Sequence, residues 1–205
     1  MEASADLDDP DNWIGGHYEL AIELGDPDDS RLTTAVTTLW SLAGAEGCFK
    51  WPDRNRPHEA AEFSLESINT NAQLHGVVRI PDSKRLVCGI VATRLFETVA
   101  PGFYAPDWVT FFIPLGALNR AGIDTAGYPF GDLASSATWR QSLDEWLADI
   151  GVRLFHVVNY RLGLVGMEVA GAANSDRMDS GVPSERGFCF LVPESRGVSY
   201  YPATA

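Results

Sequence analysis

The stretch Tyr18-Glu19-Leu20-Ala21-Ile22-Glu23-Leu24 alternates large apolar side chains with Glu, Ala and Glu. A period of two predicts a strand with one face buried. Close behind it stands Asp26-Pro27-Asp28-Asp29. Asp26 suits a helix N-cap, Pro27 the first helical position, and the two further carboxylates the positive end of a helix dipole. Leu32, Val36, Leu39, Trp40 and Ala43 then recur at helical spacing up to Gly44. A second strand and helix follow later in the chain. Trp108–Leu115 reads as a strand, and Thr138–Ile150 as a helix with Trp139, Leu143, Trp146, Leu147 and Ile150 on one face and Gly151 as its terminator.

Working outward, Cys48–Trp51 reads as a short strand and Pro52–Asn71 as loop with a helical turn around Glu59–Leu65. Leu74–Ile80 and Arg85–Phe96 form a hairpin across Pro81-Asp82-Ser83-Lys84. Val152–Val158, Arg161–Val169, Gly187–Val192 and Val198–Tyr201 supply the remaining strands. The order β-α-β-β-β-β-α-β-β-β argues for an α+β fold: a largely antiparallel sheet of seven or eight strands with two amphipathic helices. A duplicated βαββ unit is one way to build it. Residues 1–12 read as an acidic flexible tail and 13–205 as a single α+β domain. The connection Ala170–Arg186 is long enough to carry function.

Several strands are apolar on both sides. Leu86, Cys88, Ile90 and Phe96 oppose Val87, Val91 and Leu95, and Trp108 and Phe112 oppose Val109, Phe111 and Ile113. Two helices cover one face of such a sheet, so the second needs loops, a partner subunit or a ligand. A two-fold homodimer is the expected assembly on this ground. The pattern points to binding rather than to a reaction.

Acids outnumber Lys and Arg by 28 to 15, for a net charge of −13. Ten of those acids fall within the first thirty residues, which hold no Lys or Arg. Nucleic acid and anionic membrane surfaces need clustered cations and are excluded as expected partners. A small cationic molecule or a basic protein is electrostatically compatible. Cys48, Cys88 and Cys189 are too few and too scattered for a disulfide framework and read as small buried hydrophobes. With no signal-peptide pattern and no long apolar run, the expected location is cytoplasmic.

No nucleotide-binding, hydrolase or metal-site motif occurs, so no cofactor, metal or catalytic residue is assigned. His58-Glu59-Ala60-Ala61-Glu62 lacks the second histidine of a zincin helix and reads as a solvated turn. His75 and His156 read as strand histidines, His156 on the face of Leu154 and Val158. The candidate ligand-binding residues are Glu168, Arg94 and His156. Glu168 is the one charged side chain between Arg161 and Asp176, in an otherwise apolar strand. A buried carboxylate there requires a cation, water or ligand, and Arg94 is its candidate partner.

Phe112–Asn119, Trp139–Gly151 and Arg161–Gly171 together resemble an uncharacterised family of bacterial cytosolic proteins, a likeness over the central two thirds of the chain that implies no function. The tandem βαββ order with a strand carboxylate also resembles effector-binding domains of the GyrI-like type. That likeness implies a cleft taking cationic or aromatic ligands through a glutamate, here Glu168; the long insert after the first helix departs from the pattern. The expectation is a non-catalytic binding protein for a small hydrophobic or cationic ligand or a protein partner. The alternatives are an immunity-type protein neutralising a basic toxin, and an enzyme whose site is assembled from residues distant in sequence.

Overall fold

The computed structural model describes residues 7–53, 56–81, 84–94, 106–125, 128, 133–178 and 181–204. Its strands are β1 (His17–Gly25), β2 (Glu46–Lys50), β3 (Glu59–Ala60), β4 (Leu74–Arg79), β5 (Arg85–Thr93), β6 (Asp107–Pro114), β7 (Leu162–Met167), β8 (Cys189–Glu194) and β9 (Gly197–Tyr201). The helices are α1 (Asp29–Ala43), α2 (Leu65–Asn71), α3 (Leu115–Arg120) and α4 (Leu133–Phe155). All nine strands join one antiparallel sheet in the order β3-β2-β4-β5-β6-β1-β7-β8-β9. The α+β class and its antiparallel sheet are therefore as the patterning implies. The two halves do not enter the sheet alike, however. The first meets the central β1–β6 pair through its last strand, β5, and the second through the first strand after its helix, β7. A duplicated βαββ unit would give matching orders.

The alternating apolar residues of β1 do what their period predicts. Tyr18, Leu20, Ile22 and Leu24 are buried beneath the helices, beside Val109, Phe111 and Ile113 of β6. Helix α1 packs on β5 and β6, and α4 packs on α1 and on β1, β7, β8 and β9. Asp28 rather than Asp26 caps α1, its carboxylate accepting the Arg31 amide at 3.0 Å.

Helix α4 corrects the sequence reading most. It runs through Gly151 to Phe155, and the stretch expected as a strand over 152–158 is its last turns and the chain beyond. Gly151 is an approach point, not a terminator: a Cβ there would sit 2.4 Å from Leu191 Cδ1 of β8. Helix and sheet touch where the side chain is missing.

The second sheet face is roofed by the chain itself. Over β1 and β7, residues 169–178 cover Ala21, Trp108, Leu162, Leu164 and Phe190, with Ala173 and Met178 packed against them. Over β4 and β6 lies the segment leading into β1. Leu7 is fully buried and Pro10–Trp13 forms a short 3-10 helix against α3. Residues 7–12 are thus docked, not a flexible tail; residues 1–6 lie outside the described residues. The acids of the docked segment are used: Asp9 and Asp11 pair with Arg120 at 2.5 and 3.2 Å. Gly116 makes the approach possible, since a Cβ there would meet Asp11 O at 2.2 Å. With these covers in place, the bare second face no longer calls for another subunit. Asp82, Ser83, Leu95 and Phe96 of the expected hairpin lie outside the described residues.

Candidate functional site

A cleft of about 440 Å³ opens between α4 and the edge of the sheet at β9, lined by Arg140, Gln141, Asp144, Glu145, Tyr200, Pro202, Ala203 and Thr204. Its size suits a small ligand or a single large side chain. Arg140 and Asp144 stand one helical turn apart, and both are nearly buried. Behind the lining, fully buried Tyr18 of β1 donates its hydroxyl proton to Asp144 Oδ1. Cys189 Sγ of β8 lies 3.5 Å from the Tyr200 hydroxyl, and the Ala203 amide donates to the same sulfur at 3.4 Å.

The electrostatics follow from burial. Loss of water pushes the Asp144 carboxyl up to about 6, against the opposing effects of the Tyr18 and Cys189 hydrogen bonds and the Arg140 charge. Burial likewise raises Tyr18 and Tyr200, so both phenols stay protonated, and it lifts Cys189 to about 12. A thiol so held is a poor nucleophile, since the thiolate is the reactive form. Arg140 sits over the Tyr128 ring, its guanidinium carbon 5.3 Å from the centroid. Glu145 accepts from Gln141 at 2.9 Å near the rim. Two carboxylates against one guanidinium leave the wall with an excess of negative charge above about pH 6.

No family model, curated protein or solved structure matches this chain.

A second polar cluster lies on the opposite sheet face. The Asp8 carboxylate accepts the His58 amide at 2.7 Å and lies 3.1 Å from His58 Nδ1; His58 Nε2 lies 2.9 Å from His75 Nδ1. Burial lowers the pKa of both imidazoles, His75 to about 3, which makes them neutral near pH 7. Each neutral ring carries one proton. With His58 Nδ1 donating to Asp8, His58 Nε2 accepts from His75 Nδ1, and His75 Nε2 is a bare lone pair. That atom is buried and has no hydrogen-bond partner among the described residues. Trp13 lies against His75 with ring centroids 4.2 Å apart, and Trp51 stacks on His58 at 5.0 Å. The expected solvated turn at His58 is therefore a buried contact. Among the described residues no group of three His, Cys, Asp or Glu side chains is placed to hold a metal ion.

The three candidates from sequence fall in three different places, none in the cleft. Arg94 grips buried Asp107 with Nε and Nη2, both at 2.6 Å, and also pairs with Asp29. It ties β5 to β6 and to the start of α1, and its partner is not Glu168. Glu168 is exposed just past β7, at φ +49°, where its amide donates to His17 O at 3.1 Å. The apolar strand ends one residue before it, so the expected buried carboxylate does not exist. His156 is exposed beyond the end of α4, because the helix continues through the region read as strand.

The residues that do converge gave little signal. Arg140 and Asp144 look like the solvated side of an amphipathic helix, and Tyr18, Cys189 and Tyr200 look like core. Their meeting depends on which strands flank β1, and local patterning does not encode that.

Proposed function

We propose that this chain is a binding protein whose α4–β9 cleft takes a cationic group. The observation that carries the reading is Asp144: a nearly buried carboxylate in the cleft wall, held by the Tyr18 hydroxyl and displaced upward in pKa by burial. An arriving amine or guanidinium restores the favourable interaction that burial removed. Tyr200 adds an aromatic wall, and Glu145 a second carboxylate at the rim. The protonated state of Cys189 favours reversible binding over covalent chemistry.

The test uses agmatine, which offers a guanidinium and an amine, in calorimetric titrations against the full chain. Binding is expected at about pH 8 and should weaken about tenfold toward pH 5 as Asp144 takes up a proton. Asp144→Asn should cost about tenfold in affinity at the higher pH. Agmatine binding that is absent at millimolar concentration, or is indifferent to Asp144→Asn, would overturn the reading.

A further inference from the structure

β9 is the last strand of the sheet, and its outer edge lies beside the cleft. The β8–β9 hairpin turns through Ser195 and Arg196, with Glu194 opposite Gly197 and register continuing through Val192↔Ser199 to Phe190↔Tyr201. In a two-residue hairpin the pair flanking the turn exchanges both hydrogen bonds, and bonded pairs then alternate along the ladder. Gly197, Ser199 and Tyr201 are therefore bonded to β8. The N–H and C=O groups of Val198 and Tyr200 point away from it. Leu191, opposite Tyr200, belongs to the other class, and it is Leu191 that pairs with Gly163 of β7. Among the described residues no backbone group pairs with Val198 or Tyr200 on the outer side.

Just beyond, the chain after β9 stays tied to the segment that leads into β8. Arg186 Nε donates to Pro202 O at 2.8 Å, the Thr204 amide donates to Arg186 O at 2.8 Å, and Thr204 Oγ1 accepts the Arg186 amide at 2.7 Å. Within β9 the open template is short, with the two donors and two acceptors of Val198 and Tyr200. Unguarded strand edges pair with added strands, and two-residue periodicity then fixes which guest side chains face which side. Val198 and Tyr200 pack on the helical side of the sheet, where Tyr200 lines the cleft. A guest residue opposite Tyr200 would project the same way, toward Asp144 and Glu145.

We infer that the partner is a basic protein segment, which adds as a strand to the outer edge of β9 and places a Lys or Arg side chain in the α4–β9 cleft. The inference rests on the cationic reading of that cleft and gives the cation a source. Charge complementarity supports it, since the host carries a net charge of −13 and its cleft wall sets two carboxylates against one guanidinium.

The probe is a capped heptapeptide alternating Val and Lys, with a second version N-methylated on alternate residues to block strand pairing, and agmatine as the cation without a backbone. The plain peptide should bind the full chain about tenfold more tightly than its N-methylated form or agmatine. Val198→Pro removes one outward N–H that β8 does not use, so the fold should persist while peptide affinity falls about tenfold and agmatine affinity stays. Equal binding of the two peptides to the unaltered chain overturns strand addition and leaves the cationic cleft standing; that comparison needs no variant to fold. If neither peptide nor agmatine binds, the cleft reading fails and the inference with it.

Discussion

Two segments from distant parts of the chain roof the second sheet face, and opposite kinds of polar group hold them. Over β1 and β7 the anchors are carboxylates. Glu19 accepts the Ala170 amide at 2.8 Å, and Glu23 accepts the Ser175 amide and hydroxyl at 2.8 and 2.6 Å. Over β4 the anchors are imidazoles, His75 and His58, ending on Asp8, while Asp9 and Asp11 tie the same segment to Arg120 of α3. Burial makes Glu19 resist losing its proton, and it makes His75 and His58 resist gaining one. One roof should therefore loosen as pH rises and the other as it falls.

The largest expected effect is on the imidazole side. The pKa of His75 is lowered from its ordinary 6.5 to about 3. Its contribution is thus fully present above pH 6.5 and is lost as pH falls toward 3, by roughly 4 kcal/mol over that window. Urea unfolding across that range should show the loss in the native chain and a much flatter profile in His75→Phe. An unchanged acid slope in the variant would remove His75 as its source.

Next comes the apolar part of the same roof. Leu7→Ala empties a fully buried site and should cost about 3 kcal/mol at neutral pH. A loss below about 0.5 kcal/mol would return the segment to the status of a loose arm.

On the carboxylate side the sign reverses. Burial raises Glu19 from 4.5 to about 7, so its proton stabilises the fold below pH 4.5, and that contribution is lost as pH rises through 7. The cost by about pH 8 is 2 to 3 kcal/mol as an order of magnitude. Glu19→Gln keeps an acceptor for the Ala170 amide and should flatten this alkaline decline. If the variant declines as steeply as the native chain, the two roofs do not differ in the way proposed. The smallest effect sharpens the contrast: Glu168→Gln, at an exposed carboxylate, should change stability by less than about 0.5 kcal/mol at neutral pH.

Sequence patterning was sufficient for the elements whose burial is one-sided or whose ends carry caps. The apolar stripe of α1 and the alternation of β1 both appear where their periods place them. It failed where a residue type has two uses. Glu19 and Glu23 look like the solvent side of a strand, but β1 is central and both are buried. Gly151 looks like a helix stop and is a helix–sheet contact. His58, in a polar stretch, is buried because Trp13, Trp51 and Asp8 arrive from other elements. The cleft was invisible for the same reason: Tyr18, Asp144 and Tyr200 are each ordinary in their local setting.

The position of β1 also sets a timetable. It leaves the ribosome first among the strands, yet its ladders are with β6, where His17 faces Pro114, and with β7, where Tyr18 faces Met167. Its first neighbour arrives roughly a hundred residues later and its second roughly a hundred and fifty. Until then both edges of an apolar strand are unpaired, and the emerging first half can assemble only the β2–β4–β5 side of the sheet. Truncated or stalled chains of this protein should thus be far more prone to aggregation than their apolar content alone implies, because the strand that organises the finished sheet is the one that waits longest for partners.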